Sequence, residues 1–264
     1  MGRRPRLLAA TVTLALLGAP ALVGPSSAAP DPSKGSVSVS APSAALVGDP
    51  IVFKGRVKPN QAGLKVGLQR RVGSGWKNVS QTRTKDGGHY RLAGSVDFGG
   101  VYKFRVIRLP WLTTSAKSRT VTVAAYVWND VNSMLQEGDY DSGVQFPDTE
   151  SIDGVSYQTP IVIDADSQGT TEGGFFEVDL DGLNCAAFDT TAGALDGNAV
   201  NSEVGLEVNA DSAVIEDDTY LLGESEHLTL DVRGVSVLRV EGQVVLPGPQ
   251  GKLGLGNPRM LCAS

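Results

Sequence analysis

The chain is poor in the residues that most enzymes work with. Its 264 residues include two histidines, His89 and His227, and two cysteines, Cys185 and Cys262. The histidines fall in separate halves, each within a strand-like alternation, and no zinc-ligand spacing, nucleophile elbow or phosphate-binding loop occurs. Carboxylates are plentiful, so a glycosidase pair is not removed by counting. Such a pair needs one acid sheltered in a cleft, however, and these acids sit mostly in turns. The chain is therefore read as non-enzymatic. Helical periodicity is almost absent. No apolar run approaches the roughly 20 residues that a transmembrane helix needs, so membrane insertion is not expected.

The first residues have the layout of a secretory leader. Arg3, Arg4 and Arg6 make a positive start, Leu7 to Leu17 an apolar stretch, and Ser26-Ser27-Ala28-Ala29 a small-residue cleavage region. Residues 1–29 are accordingly expected to be a signal peptide, and 30–35 a linker. The Arg3-Arg4 pair does not complete a twin-arginine motif, so the ordinary secretory route is favoured. The mature protein is expected to be extracellular, where a disulfide can persist.

Charge of one sign is scarce in each half of the remainder. Between Lys34 and Val123 there are 16 Lys and Arg but only Asp49, Asp86 and Asp97 on the acidic side. From Ala125 onward, Arg233, Arg239, Lys252 and Arg259 stand against 25 Asp and Glu. A step this abrupt predicts a domain boundary near Ala124, hence one domain over 36–124 and another over 125–264.

The basic segment alternates apolar and charged residues with period two: Ile51, Phe53 and Val57 with Lys54 and Arg56, and Tyr102, Phe104 and Val106 with Lys103 and Arg105. Turn signals at Lys58-Pro59-Asn60, Gly73-Ser74-Gly75, Asp86-Gly87-Gly88 and Gly99-Gly100 separate about seven strands, near 36–40, 51–57, 65–71, 76–83, 89–96, 101–107 and 119–124. With Val66-Gly67-Leu68-Gln69-Arg70-Arg71, Trp76-Lys77 and Gly100-Val101-Tyr102, this segment resembles the Ig-like modules of bacterial surface proteins. The resemblance implies a spacer or adhesive β-sandwich with a tyrosine corner at Tyr102. Lys and Arg are interleaved along many strands, and no nucleic-acid motif is present. The positive surplus is read as a solvated face that also docks on the acidic neighbour, with an anionic wall polymer as the alternative partner. Nucleic acid is not an expected partner.

In the acidic half, strands are expected near 160–164, 174–180, 186–192, 203–210, 213–219, 227–232, 236–245 and 259–263, with Gly, Asp and Asn between them. The expected fold class is all-β: an Ig-like β-sandwich followed by a jelly-roll β-sandwich. Ile152-Asp153-Gly154-Val155-Ser156-Tyr157, Phe176-Glu177-Val178-Asp179-Leu180, Cys185-Ala186-Ala187-Phe188, Val237-Leu238-Arg239-Val240 and Gly256-Asn257-Pro258-Arg259 follow one another in the order and spacing of a known family. The half resembles the NPCBM family, carbohydrate-binding modules first described beside family 98 glycosyl hydrolases. That resemblance implies a galactose-binding-like sandwich and non-catalytic sugar binding. Two departures stand out: Ile161-Val162-Ile163-Asp164-Ala165 replaces a Gly-Leu-Gly-x-His-Ala segment, and Leu253-Gly254-Leu255 replaces a closing Trp.

Sugar binding needs an aromatic ring for the apolar face of the pyranose and polar groups for its hydroxyls. The candidates are Trp128, Tyr140, Phe146 and Tyr157, with Asp164 and Asn198 as polar partners; Tyr140, in the loop Gly138-Asp139-Tyr140-Asp141, is the best exposed. The binding surface is expected around Asp139 to Tyr157. No cofactor is expected. Asp179-x-Asp181-Gly182 and Glu216-Asp217-Asp218 offer oxygen ligands for a structural calcium, but solvated turn carboxylates are the simpler reading. With a secreted context, two thiols in all and the topology implied by the family, Cys185 and Cys262 are expected to form a disulfide. The expected function is secreted, non-catalytic binding of a carbohydrate or cell-wall glycan. The rival is a structural or adhesive surface protein whose module has lost sugar binding.

Overall fold

A computed structural model of the chain describes residues 35–109, 116–165, 173–244 and 251–263. The expected leader and nearly all of the expected linker lie outside the described residues. The regular secondary structure of the described chain is almost entirely β-strand, as the alternation predicts.

The first seven strands are β1 (Ala44–Leu46), β2 (Ile51–Arg56), β3 (Lys65–Val72), β4 (Gly75–Arg83), β5 (His89–Gly94), β6 (Gly100–Arg108) and β7 (Val121–Asp130). One layer runs β1-β7-β6-β3-β4, with β1 and β7 parallel; β2 and β5 pair as the facing layer. Alternate residues of the two layers meet in a core of Phe53 and Leu92 against Val66, Leu68, Phe104, Val106 and Val123, all buried. The rings of Phe53 and Phe104 lie 4.9 Å apart, centroid to centroid, across the layers. Tyr102 Oη donates to the Phe98 carbonyl at 2.9 Å, a bond four residues back that pins the entry to β6. The strand expected near 36–40 is reduced to isolated bridges, Val37 with Val57 and Ser40 with Lys54. Between these bridges the ladder lapses at Ser38, where the Arg56 N–H donates to Ser38 Oγ at 3.0 Å and the Ser38 carbonyl accepts the Tyr90 hydroxyl.

Eleven strands follow: β8 (Val144–Gln145), β9 (Thr149–Ile152), β10 (Val155–Gln158), β11 (Ile161–Asp164), β12 (Phe175–Asp179), β13 (Cys185–Ala194), β14 (Glu203–Ala210), β15 (Ala213–Leu221), β16 (Ser225–Asp231), β17 (Val237–Val244) and β18 (Lys252–Cys262). Here one layer is β16-β13-β18, continued by β7 and β11, and the other is β12-β17-β14-β15. Phe176, Leu206, Val208, Leu238 and Val240 from the second layer pack on Phe188, Ile161, Ile163, Leu253, Leu255 and Met260 from the first.

The charge step at Ala124 falls inside β7. Its first half, Val121 to Ala125, pairs with β6, and Val127 to Asp130 pairs with β18. The polypeptide therefore passes from one core to the other in one extended strand, without a loop between. The five ion pairs found among the described residues all lie between Glu177 and Arg259, within the acidic half.

Cys185 and Cys262 face each other directly across β13 and β18 and are joined by a disulfide. Cys262 also faces Val127 of β7, so the bond sits where the two halves meet in the sheet. It closes a loop with a sequence separation of 77. In the chain-entropy model a loop of that size stabilises by about 4 kcal/mol, mainly by restricting the unfolded chain. The double substitution Cys185→Ala/Cys262→Ala is therefore expected to lower the urea midpoint markedly without altering the far-ultraviolet dichroism of the folded state. Equal midpoints for the two proteins would show that the bond adds nothing to stability.

Candidate functional site

The site is made by an interruption in β18. The first part of this strand, Lys252 to Leu255, pairs on one edge with β11; the last part, Arg259 to Cys262, pairs on that edge with β7. Gly256, Asn257 and Pro258 lie between them with no strand alongside. Pro258 has no N–H to offer a ladder, so it fits where pairing lapses. Asn257 takes φ +50, a left-handed conformation that asparagine tolerates better than most residues. On the other edge the register against β13 slips at this point, between Asp189 and Thr191. Bulges of this kind redirect side chains. Beneath the slip the buried Thr190 Oγ1 donates to the Gly256 carbonyl at 3.1 Å.

The lapse opens a groove of about 400 Å³ on the outer face of the sheet, with Trp128, Asp189, His227, Asn257 and Arg259 among its lining residues. Strand register explains why these residues meet. Thr229, Asp189, Arg259 and Asp130 stand side by side on β16, β13, β18 and β7, and His227 faces Thr191 two pairs further on, on the same side of the sheet. Trp128 precedes Asp130 by two residues and so points to the same side.

Asp189 organises the group. It is only 6% exposed, yet it sits on the central strand among donors from both neighbours. Arg259 Nε donates to its Oδ1 at 2.8 Å, and Thr229 Oγ1 to its Oδ2 at 2.9 Å. His227 Nε2 lies 3.2 Å from the same Oδ2. A buried carboxylate is tolerated when its lone pairs are met in this way. The guanidinium of Arg259 also lies over the Trp128 ring, 4.5 Å from its centroid. Arg259 is thus held from two sides, by a carboxylate through Nε and by an aromatic face beneath, which leaves its Nη atoms directed away from Asp189.

Of the aromatic and polar residues anticipated from sequence, Trp128 lines the groove. Tyr157 lies just behind it: its ring packs against the backbone at Gly256, where an added Cβ would come within 2.4 Å of the ring, and against Ile152, Val162 and Leu195. Tyr140 is placed elsewhere, half-buried and edge-on to Phe146 at 4.9 Å, beside β12. Asn198 clasps the backbone of Lys252, donating Nδ2–H to its carbonyl and accepting its N–H at Oδ1, each at 2.9 Å. Asp164 ends β11 opposite Lys252 and does not line the groove. The stretch Asp139 to Tyr157 contains a hairpin, β9 with β10, rather than open loop throughout.

Asp189, His227, Thr229 and Arg259 were not anticipated as a site. Two signals pointed to them: Pro258 inside an otherwise strand-like run, which marks a bulge, and a carboxylate, Asp189, in the middle of an inner strand. Of the turn carboxylates weighed against a structural calcium, Asp179 Oδ1 accepts the N–H of Asp181 at 2.9 Å within its own turn. Among the described residues no group of three or more His, Cys, Asp or Glu is placed to hold a metal ion.

No protein-family model and no curated protein matches the chain. Among solved structures it is similar to the CBM51 module of Clostridium perfringens GH95 in complex with methyl-galactose, at 15% identity over 51% of this chain and 99% of that one, with a TM-score of 0.42. It is also similar to the CBM51-2 and INT domains of Clostridium perfringens ZmpB, at 14% identity over 62% of this chain and 38% of that one, TM-score 0.41. A larger structure, the M60 catalytic domain of ZmpB with its CBM51-1 and CBM51-2 domains, aligns at 13% identity over 87% of this chain and 31% of that one, TM-score 0.43.

If Asp189 holds the site together, Asp189→Ala strands Thr229 and Arg259 without their acceptor. The expected cost is about 1–3 kcal/mol in urea unfolding, and Asp189→Asn, which keeps one acceptor oxygen, costs less. Equal and negligible effects of the two substitutions would contradict the organising role.

Proposed function

We propose that the acidic half is a carbohydrate-binding module and that its sugar site is the groove at the β18 bulge. The observation that carries this reading is the Asp189–Arg259–Trp128 arrangement, a guanidinium fixed by a carboxylate over one face of an indole in an open groove. Sugar hydroxyls need donors and acceptors at fixed positions, and the apolar C–H face of the ring needs an aromatic neighbour. Arg259 Nη, the Asn257 and Asn129 amides and His227 supply the polar contacts. Trp128 supplies the apolar edge, with Arg259 covering part of its face.

A non-catalytic role is supported by the state of the two carboxylates in the groove. Asp189 is engaged by the donors described above, and Asp130 Oδ1 accepts the N–H of Asn132 at 3.0 Å. Both serve as structural acceptors. The leader-like first residues and the disulfide support secretion. The basic half then acts as a spacer that β7 connects directly to the module, and a cell-wall or extracellular glycan is the natural target of such a protein.

Isothermal titration of the full chain tests the reading, with methyl-galactose, the sugar named with the GH95 CBM51 structure, heading a panel of neutral glycans. Millimolar-range binding is expected, lost in Trp128→Ala and in Arg259→Ala but kept in Tyr140→Ala. Absence of binding across the panel, or loss in Tyr140→Ala alone, would overturn the assignment of this groove.

A further inference from the structure

The basic half carries a second cluster, one that pattern reading dispersed along three strands and that the sheet gathers on one face. Arg71 on β3 faces Trp76 on β4, and two residues earlier Gln69 faces both Asn78 on β4 and Arg105 on β6. All five side chains belong to the solvent side of the β7-β6-β3-β4 layer, the inner side being Val66, Leu68, Phe104 and Val106. The guanidinium of Arg105 lies 4.1 Å from the Trp76 ring centroid and that of Arg71 lies 5.7 Å from it.

How these cations are held is what matters. Arg105 Nε donates to Gln69 Oε1 at 2.9 Å, and Gln69 Nε2 donates in turn to Asn78 Oδ1 at 3.0 Å. Arg71 Nε donates to the Gly73 carbonyl at 2.9 Å. Each guanidinium is therefore oriented through Nε by a neutral acceptor, with an aromatic ring alongside, while its two Nη groups form an open fork. No carboxylate pairs with either among the described residues, and the ion pairs there all belong to the other half. Burial, and then the charge of Arg71, pull the Arg105 guanidinium below its ordinary value, as expected for two like charges drawn together without a counter-ion. Surface arginines usually relieve such repulsion by spreading apart; these are kept together by fixed partners.

We propose that Arg71 and Arg105, set about the Trp76 indole on the open face of this layer, bind the carboxylate groups of an acidic polysaccharide. Two oriented forks match planar carboxylates bidentately, and the open face of a sheet accepts an extended polymer better than a compact ligand. Single-stranded nucleic acid is a poorer fit, because it stacks its bases on bare aromatic faces, and the Trp76 ring carries two guanidiniums, of Arg105 and Arg71. This site is independent of the sugar groove in the acidic half and stands or falls separately.

The test uses the full chain with polygalacturonate, a neutral galactan, inorganic polyphosphate and single-stranded DNA in affinity electrophoresis and titration calorimetry. Polygalacturonate is expected to bind at low salt, and to bind progressively more weakly as the Debye length falls from about 30 Å at about 0.01 M salt to about 3 Å at about 1 M. Arg71→Gln/Arg105→Gln is expected to weaken it by about tenfold or more, given two charge-assisted contacts. Lys54→Gln/Arg91→Gln, which removes the same charge from the opposite layer, is expected to leave binding within about twofold, as befits screened distant charges. Equal losses in the two double variants would reduce the effect to net charge and overturn the site, as would failure of polygalacturonate to bind at low salt. Stronger binding of polyphosphate or single-stranded DNA, lost in the Arg71/Arg105 variant, would overturn the carboxylate assignment. The unfolding midpoints of both variants should match the parent, since the substituted groups are half-exposed or exposed.

Discussion

Everything in the acidic half depends on the pairing of β13 with β18. β18 is inserted between β13 and β7, so the layer is completed only when residues 252–262 are in place. Three devices hold that pairing: the disulfide at one end, the Asp189–Arg259 pair in the middle, and the packing of Leu253 and Leu255 against Ile161 and Ile163 at the other end. The slip at Gly256–Pro258 sits between these anchors. A groove in that position is framed by some of the most firmly held backbone in the molecule, which is where a preorganised binding site gains most from its scaffold.

The same strand also reaches the basic half. Arg259 to Cys262 add β7 to the layer, and β7 is at the same time an inner member of the other sandwich, between β1 and β6. Coupling through shared backbone hydrogen bonds is independent of salt, unlike coupling through opposite charges. The two halves can then keep opposite charge without depending on it for their connection. That division leaves the cations of the basic half and the polar groove of the acidic half both open to partners.

Much of this fold was legible in the sequence, and for physical reasons. Long alternating strands such as β3, β6 and β14 declare themselves because one face is buried and the other wet. Short ones did not. β1 and β8 have three and two residues, too few to show a period, and the β9–β10 hairpin is polar on much of its surface. The continuation of β7 past Ala125 was hidden by the charge step, which marks a change of environment and not a break in the backbone. β18 was read only from Arg259 because Gly254, Gly256 and Pro258 look like loop residues. They serve close packing instead: a Cβ at Gly254 would strike Ile152 and Leu195, and one at Gly256 would strike Tyr157. The site was harder still. Aromatic residues in polar loops attract attention, and Tyr140 and Asn198 turn out to be occupied in packing and in bracing Lys252. The groove's polar residues come from four strands brought into one row by register, information that no local stretch carries. Trp128 alone belongs to both the sequence-derived set and the groove.

The central claim is that the interruption of β18, and not the loop around Tyr140, receives the sugar. Amide and indole chemical-shift changes in a ¹⁵N-labelled full chain titrated with methyl-galactose test this most directly. The account predicts that the largest changes fall on the Trp128 indole N–H and on the backbone amides of Asn129, Thr191 and Asn257, with the Asp139 to Phe146 segment unmoved. Changes concentrated in that segment, with the Trp128 indole unaffected, would contradict it.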